Sequence, residues 1–119
     1  MSNPTVTNIE HLNAMTGGDP DVIKQFIQMY LNDTPVLFQK LIAAYTNKVY
    51  TGVDSVQWCA HKIAPQLSYM GMEASYELAR KIEGDIINSN LADLSKDVPV
   101  LQAHIEQSYI ELNKYINTH

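Results

Sequence analysis

Apolar residues recur at spacings of three and four along most of this chain, and the β-branched residues do not alternate with polar ones over any useful run. The pattern therefore predicts helices and no sheet. A short segment from Asn8 to Met15 forms one or two turns before the Gly17-Gly18 break. Asp19 followed by Pro20 reads as an N-cap with proline at the first helical position, and Asp21 suits the first turn. Val22, Ile23, Phe26, Ile27 and Tyr30 then repeat on one face, and Val36, Leu37, Leu41 and Ala44 carry the stripe to about Asn47. Pro35 removes a donor and crowds the preceding turn, so it either bends this long helix or divides it in two. After a loop over Asn47 to Gly52, a helix runs from about Val53 to Tyr69, with Gly71 as its stop. A fourth spans Glu73 to Asn88, with Leu78, Ala79, Ile82 and Ile86 as apolar positions, and Asn88-Ser89-Asn90 breaks it. The last begins at Leu94 or Pro99 and reaches Ile116, striped by Leu101, Ile105, Tyr109, Leu112 and Ile116. Short connections between long amphipathic helices predict an all-α fold, an antiparallel four-helix bundle with a short additional N-terminal helix.

Length adds that residues 1–119 form a single domain able to bury one core. The balance of charge narrows the partners. The net charge is -5 and the seven lysines and one arginine are scattered without a basic run, which argues against nucleic acid. No apolar stretch is long enough for a membrane span, and Met1 to Glu10 has neither a basic n-region nor an apolar h-region. Cys59 is the single cysteine and has no internal disulfide partner, so a cytoplasmic location is expected.

The chain offers little chemistry of its own. It has no Gly-rich phosphate loop, dinucleotide fingerprint or nucleophile elbow. His11, His104 and His119 stand apart from other ligand types at metal spacing, so no metal site is expected. His61 differs by where it points. With Val56 set at zero and about 100° per residue, Ala60, Ile63, Leu67 and Met70 cluster within about 40° as a buried stripe. His61 falls near 140°, away from that stripe, among Gln57, Ala64, Pro65 and Ser68. These neighbours are small or neutral, with no acidic side chain close by. Such a collar admits another protein and does not repel an anionic phosphoryl group. An exposed histidine on a helix is, by itself, usually an ordinary surface residue. Trp58 is either covered by another element, such as the N-terminal segment, or part of a binding face. Cys59 borders the core as a small packing residue.

The stretch Cys59-Ala60-His61-Lys62-Ile63-Ala64-Pro65-Gln66-Leu67-Ser68-Tyr69-Met70-Gly71 resembles the signature of histidine-containing phosphotransfer (HPt) domains. That family has Ala-His, an aliphatic residue two after the histidine, Lys and Gly at the third and fourth positions, and Gly at the tenth. Ala60, His61, Ile63 and Gly71 match. Upstream, Gly18-Asp19-Pro20 through Phe26 to Asp33-Thr34-Pro35 is similar to the family's second helix. The resemblance covers nearly the whole chain, and the two motifs stand together in the family's order and spacing. Ala64 and Pro65 depart from the pattern by replacing the Lys and Gly, although His61-Lys62 followed by Pro65 is similar to phosphotransfer domains of hybrid sensor systems.

The resemblance implies a phosphorelay intermediate. His61 would accept a phosphoryl group from a receiver-domain aspartyl phosphate and pass it to a response regulator. Gln57, Ala64, Pro65 and Ser68 would contact the phosphoryl group or the partner, and Gly71 would be structural. The chain would be a phosphohistidine carrier and not an autonomous kinase. It would hold no cofactor, because the receiver or hybrid histidine kinase brings Mg²⁺, and it would act as a monomer. The alternative is a docking module that binds a receiver without carrying phosphate, for want of the family's Lys and Gly. A bundle with an unrelated ligand or metal site is a third reading.

Overall fold

The computed structural model describes residues 5–119. The first four residues of the Met1–Glu10 segment lie outside the described residues. Five helices and no strand are present among those described: α1 (Ile9–Thr16), α2 (Pro20–Thr46), α3 (Val56–Tyr69), α4 (Glu73–Ile87) and α5 (Leu94–Thr118). None is long and apolar enough to cross a membrane.

Side-chain caps set three of the helix starts. The Asn8 side chain accepts from the His11 amide, Asp19 from the Asp21 and Val22 amides, and Ser55 from the Trp58 amide. Each satisfies donors that a helix end otherwise leaves open. Ser55 places the start of α3 at Val56 instead of Val53, because Gly52 and Asp54 both adopt positive φ and hold the chain out of helical geometry. Pro35 does not divide α2, which runs on through it. The buried stripe of α2 passes through Ile23, Ile27, Tyr30, Thr34, Phe38, Leu41 and Ala44. Val36, expected on that stripe, is instead 58% exposed, since Phe38 and Thr34 occupy the inward positions on either side of it.

α3 packs between α2 and α4, α5 packs on α4 and α2, and α1 lies on α2. The core between them includes Leu12, Ile27, Leu41, Ile63, Leu67, Ile82, Leu101, Ile105 and Leu112, all fully buried. Each such aliphatic side chain contributes about 1.5–3 kcal/mol through burial, which is what holds helices of modest intrinsic propensity in place. Two polar ties close the ends. Val6 and Thr7 bind the Glu111 carboxylate of α5, and the Asn8 amide donates to the Met70 carbonyl at 2.9 Å, so the N-terminal segment spans from α5 to the α3–α4 turn. At the α4–α5 turn the Lys81 ammonium donates to Asp85, Asp93 and Asp97 at 3.0, 3.0 and 2.7 Å.

Candidate functional site

The α3 stripe of Val56, Ala60, Ile63 and Leu67 is fully buried, and this orients the helix. His61 therefore projects outward, with 72% of its side chain exposed. Its surroundings differ from the neutral collar expected from α3 alone. Glu83 of α4 reaches across, and its Oε2 lies 2.7 Å from His61 Nδ1. That glutamate is itself only 13% exposed, so its carboxylate is held against the helices. A carboxylate can only accept, so Nδ1 carries the proton and donates, and in the neutral imidazole Nε2 then presents its lone pair to solvent. The helical wheel of α3 could not reveal an acid contributed by another helix.

The other expected site residues divide. Gln57 is half-buried, while Pro65 and Ser68 are exposed. Gln57 joins His61, Glu83, Trp58, Gly52 and Val53 around one shallow depression. Ala64, Pro65 and Ser68 join His61, Tyr76 and Arg80 around a second, on the opposite flank of the imidazole. Ala64 lines that depression from beneath. It is 2% exposed, so it forms the floor of that depression and offers a partner almost no surface. α3 and α4 pack closely against each other, which leaves Ala64 little exposed surface. Gly71 adopts φ +67 just beyond α3, and a Cβ there would stand 2.5 Å from Asn8 Cβ.

Trp58 is half-buried against the core, and two lysines lie over its ring. Lys62 Nζ sits 4.7 Å from the ring centroid and Lys40 Nζ 6.0 Å, the geometry of cation–π attraction. Lys40 also pairs with Asp54 at 3.6 Å. Cys59 is fully buried, and burial, with Asp54 adding to it, pushes its thiol above the usual range. It is therefore a packing residue and a poor nucleophile.

The remaining histidines lie elsewhere. His104 Nδ1 is 2.9 Å from the buried Ser75 hydroxyl, His119 stacks on Tyr115 at 4.0 Å between centroids, and His11 follows the α1 cap. Asp85, Asp93 and Asp97 bring carboxylate oxygens close together, and the Lys81 ammonium occupies the space they share. His61 with Glu83 is thus the pairing with nucleophilic character, an open imidazole nitrogen whose opposite ring nitrogen is anchored.

No family model, curated protein or solved structure matches this chain.

Proposed function

We propose that this chain is a histidine phosphotransfer protein of a phosphorelay, with His61 as phosphoacceptor. The observation that carries the reading is the exposed imidazole whose Nδ1 is bound by Glu83 at 2.7 Å, leaving Nε2 as the nucleophile. The resemblance of Ala60-His61, Ile63 and Gly71 to the HPt signature supports the same assignment. So does the closed cycle of pairings from α2 to α3, α4, α5 and back to α2, which fits an antiparallel four-helix bundle with α1 appended.

In the forward step Nε2 attacks the phosphorus of a receiver's aspartyl phosphate. The N–P bond forms as the P–O bond to the aspartate breaks, and the receiver's carboxylate leaves with the electron pair. The Nδ1 proton stays in its hydrogen bond to Glu83, so the phosphorylated ring carries positive charge beside a carboxylate. That ring is a good leaving group, and the reverse step delivers the phosphoryl group to an aspartate on a second receiver. The transition state requires in-line geometry and neutralisation of oxyanion charge. The receiver supplies Mg²⁺, and this chain supplies the nucleophile and the docking face, acting as a cytoplasmic monomer with no nucleic-acid or membrane partner.

The test is transfer from a phosphorylated receiver with Mg²⁺, wild type beside His61→Gln, scored for acid-labile, base-stable label. Label on the wild type alone is expected, and equal label on His61→Gln refutes the assignment. The docking module remains the competing reading, because Ala64 stands where the family has its Lys and is buried. Tight receiver binding with no label on the wild type would favour it.

A further inference from the structure

We infer that Arg80 of α4 is the cation that receives the phosphoryl group at His61, so that Arg80, Ser68 and the imidazole form a tetrahedral-oxyanion site. This rests on the phosphotransfer reading of His61. A phosphoryl group on Nε2 brings two negative charges to a histidine whose nearest charged partner is an acid, Glu83. Neutralisation has to come from a nearby cation, and the placement of the cations decides which one.

Lys62 and Lys40 lie over Trp58, and Lys81 is committed to three aspartates. Arg80, the chain's only arginine, lines the same depression as His61 and Ser68, a concavity of about 280 Å³. That space suits a phosphoryl group and the edge of a partner. Glu83 ties the two functional groups into one unit. Its Oε2 accepts from His61 Nδ1 at 2.7 Å, while its Oε1 lies 3.6 Å from Arg80 Nε. The guanidinium also donates through Nη1 to Tyr76 Oη at 3.2 Å and leans on the Tyr76 ring. These contacts engage Nε and one hydrogen of Nη1 and leave the other three of its five N–H donors for an anion. The arginine side chain is 58% exposed, so its fork can turn toward Nε2 and bind two phosphoryl oxygens, which a point-like ammonium cannot do. The exposed Ser68 hydroxyl borders the same space and offers a further donor.

Phosphoramidate tests this without a receiver. Its N–P bond breaks as the His61 Nε2–P bond forms, and ammonia departs. Labelling of the full chain is followed by ³¹P NMR and mass spectrometry for wild type, Arg80→Gln, Arg80→Lys and His61→Gln. The expected wild-type rate saturates with phosphoramidate. Arg80→Gln falls about tenfold, a smaller loss than buried oxyanion donors produce because this site is open to water. Arg80→Lys should recover part of the rate. Wild-type labelling by Arg80→Gln overturns the inference, as does an Arg80→Lys rate no better than Arg80→Gln. If Arg80 served only to hold Glu83, its substitution would have no effect in a Glu83→Gln background; persistence of the loss there supports direct anion contact, and its disappearance overturns it. Arginine-dependent labelling combined with failed receiver transfer would sink the phosphorelay and leave the anion site standing. Working receiver transfer with arginine-independent labelling would sink the anion site alone.

Discussion

Glu83 gives His61 a defined tautomer, and much of the proposed chemistry hangs on that proton. Free imidazole divides its proton between two nitrogens, whereas the 2.7 Å contact places it on Nδ1, so that in the neutral ring Nε2 is the unprotonated nitrogen toward solvent. Glu83→Ala should therefore slow phosphoryl transfer to His61 by about 10–100-fold, the range typical for losing the partner that orients a functional histidine, with the fold intact. Long-range ¹⁵N–¹H correlation spectra of the wild type should show His61 protonated on Nδ1, and a ring protonated on Nε2 would contradict the argument. The exposure of His61 was legible from α3 periodicity alone, because one buried stripe fixes the opposite face. Glu83 and Arg80 were not, since they sit on α4 and a wheel drawn for one helix carries no information about its neighbour. The burial of Ala64 was hidden for the same reason. It lies between the buried and exposed faces, and the packing of α4 decides its burial.

At the scale of elements, the turn Met70–Met72 joining α3 to α4 depends on Gly71 for two separate reasons. Its φ of +67 is a left-handed conformation, which costs a side-chain-bearing residue about 1–2 kcal/mol. An added Cβ would also stand 2.5 Å from Asn8 Cβ, 3.0 Å from Asn8 O and 3.1 Å from His11 Cβ, where the N-terminal segment crosses the turn. Overpacking of that kind adds roughly 1–3 kcal/mol. Gly71→Ala should thus destabilise by about 2–5 kcal/mol in urea unfolding. Gly52→Ala is the control, because Gly52 has φ +99 but nothing within 4 Å of its Cβ position. Equal losses for the two variants would remove the close approach from the argument. Gly71 could be read as a helix stop from its place after the α3 stripe, but the crossing of Asn8 is a tertiary fact that local sequence does not encode. The helix start marked by Asp19 was legible from cap chemistry. The start of α3 was less so, since Val53 is apolar and in phase but stands 77% exposed outside the helix, ahead of the cap at Ser55.

For the molecule as a whole, the longest-range polar tie joins the two ends of the chain and makes stability depend on pH. Glu111 accepts from the Thr7 hydroxyl at 2.6 Å, the Thr7 amide at 2.9 Å and the Val6 amide at 2.9 Å, and Gln107 adds a fourth contact at 3.0 Å. Burial by itself would raise the Glu111 carboxyl, but these donors together outweigh it and hold the group below the usual carboxylate range. A carboxyl depressed in the folded state binds fewer protons there than in the unfolded chain. Its stabilisation is complete above the unfolded value, near 4.5, and is lost as pH falls through the lower folded value. Because the site is partly open to water, the contribution should be modest, about 1–2 kcal/mol. Glu111→Gln is therefore expected to unfold at lower urea than wild type at pH 7, and the gap should close below pH 4 as the wild-type carboxyl takes up its proton. The strap is local, so hydrogen exchange at the Val6 and Thr7 amides should accelerate in Glu111→Gln while the buried cores of α3 and α4 keep their protection. A constant gap from pH 7 down to pH 2 would mean that the loss comes from packing around Glu111 and not from its charge.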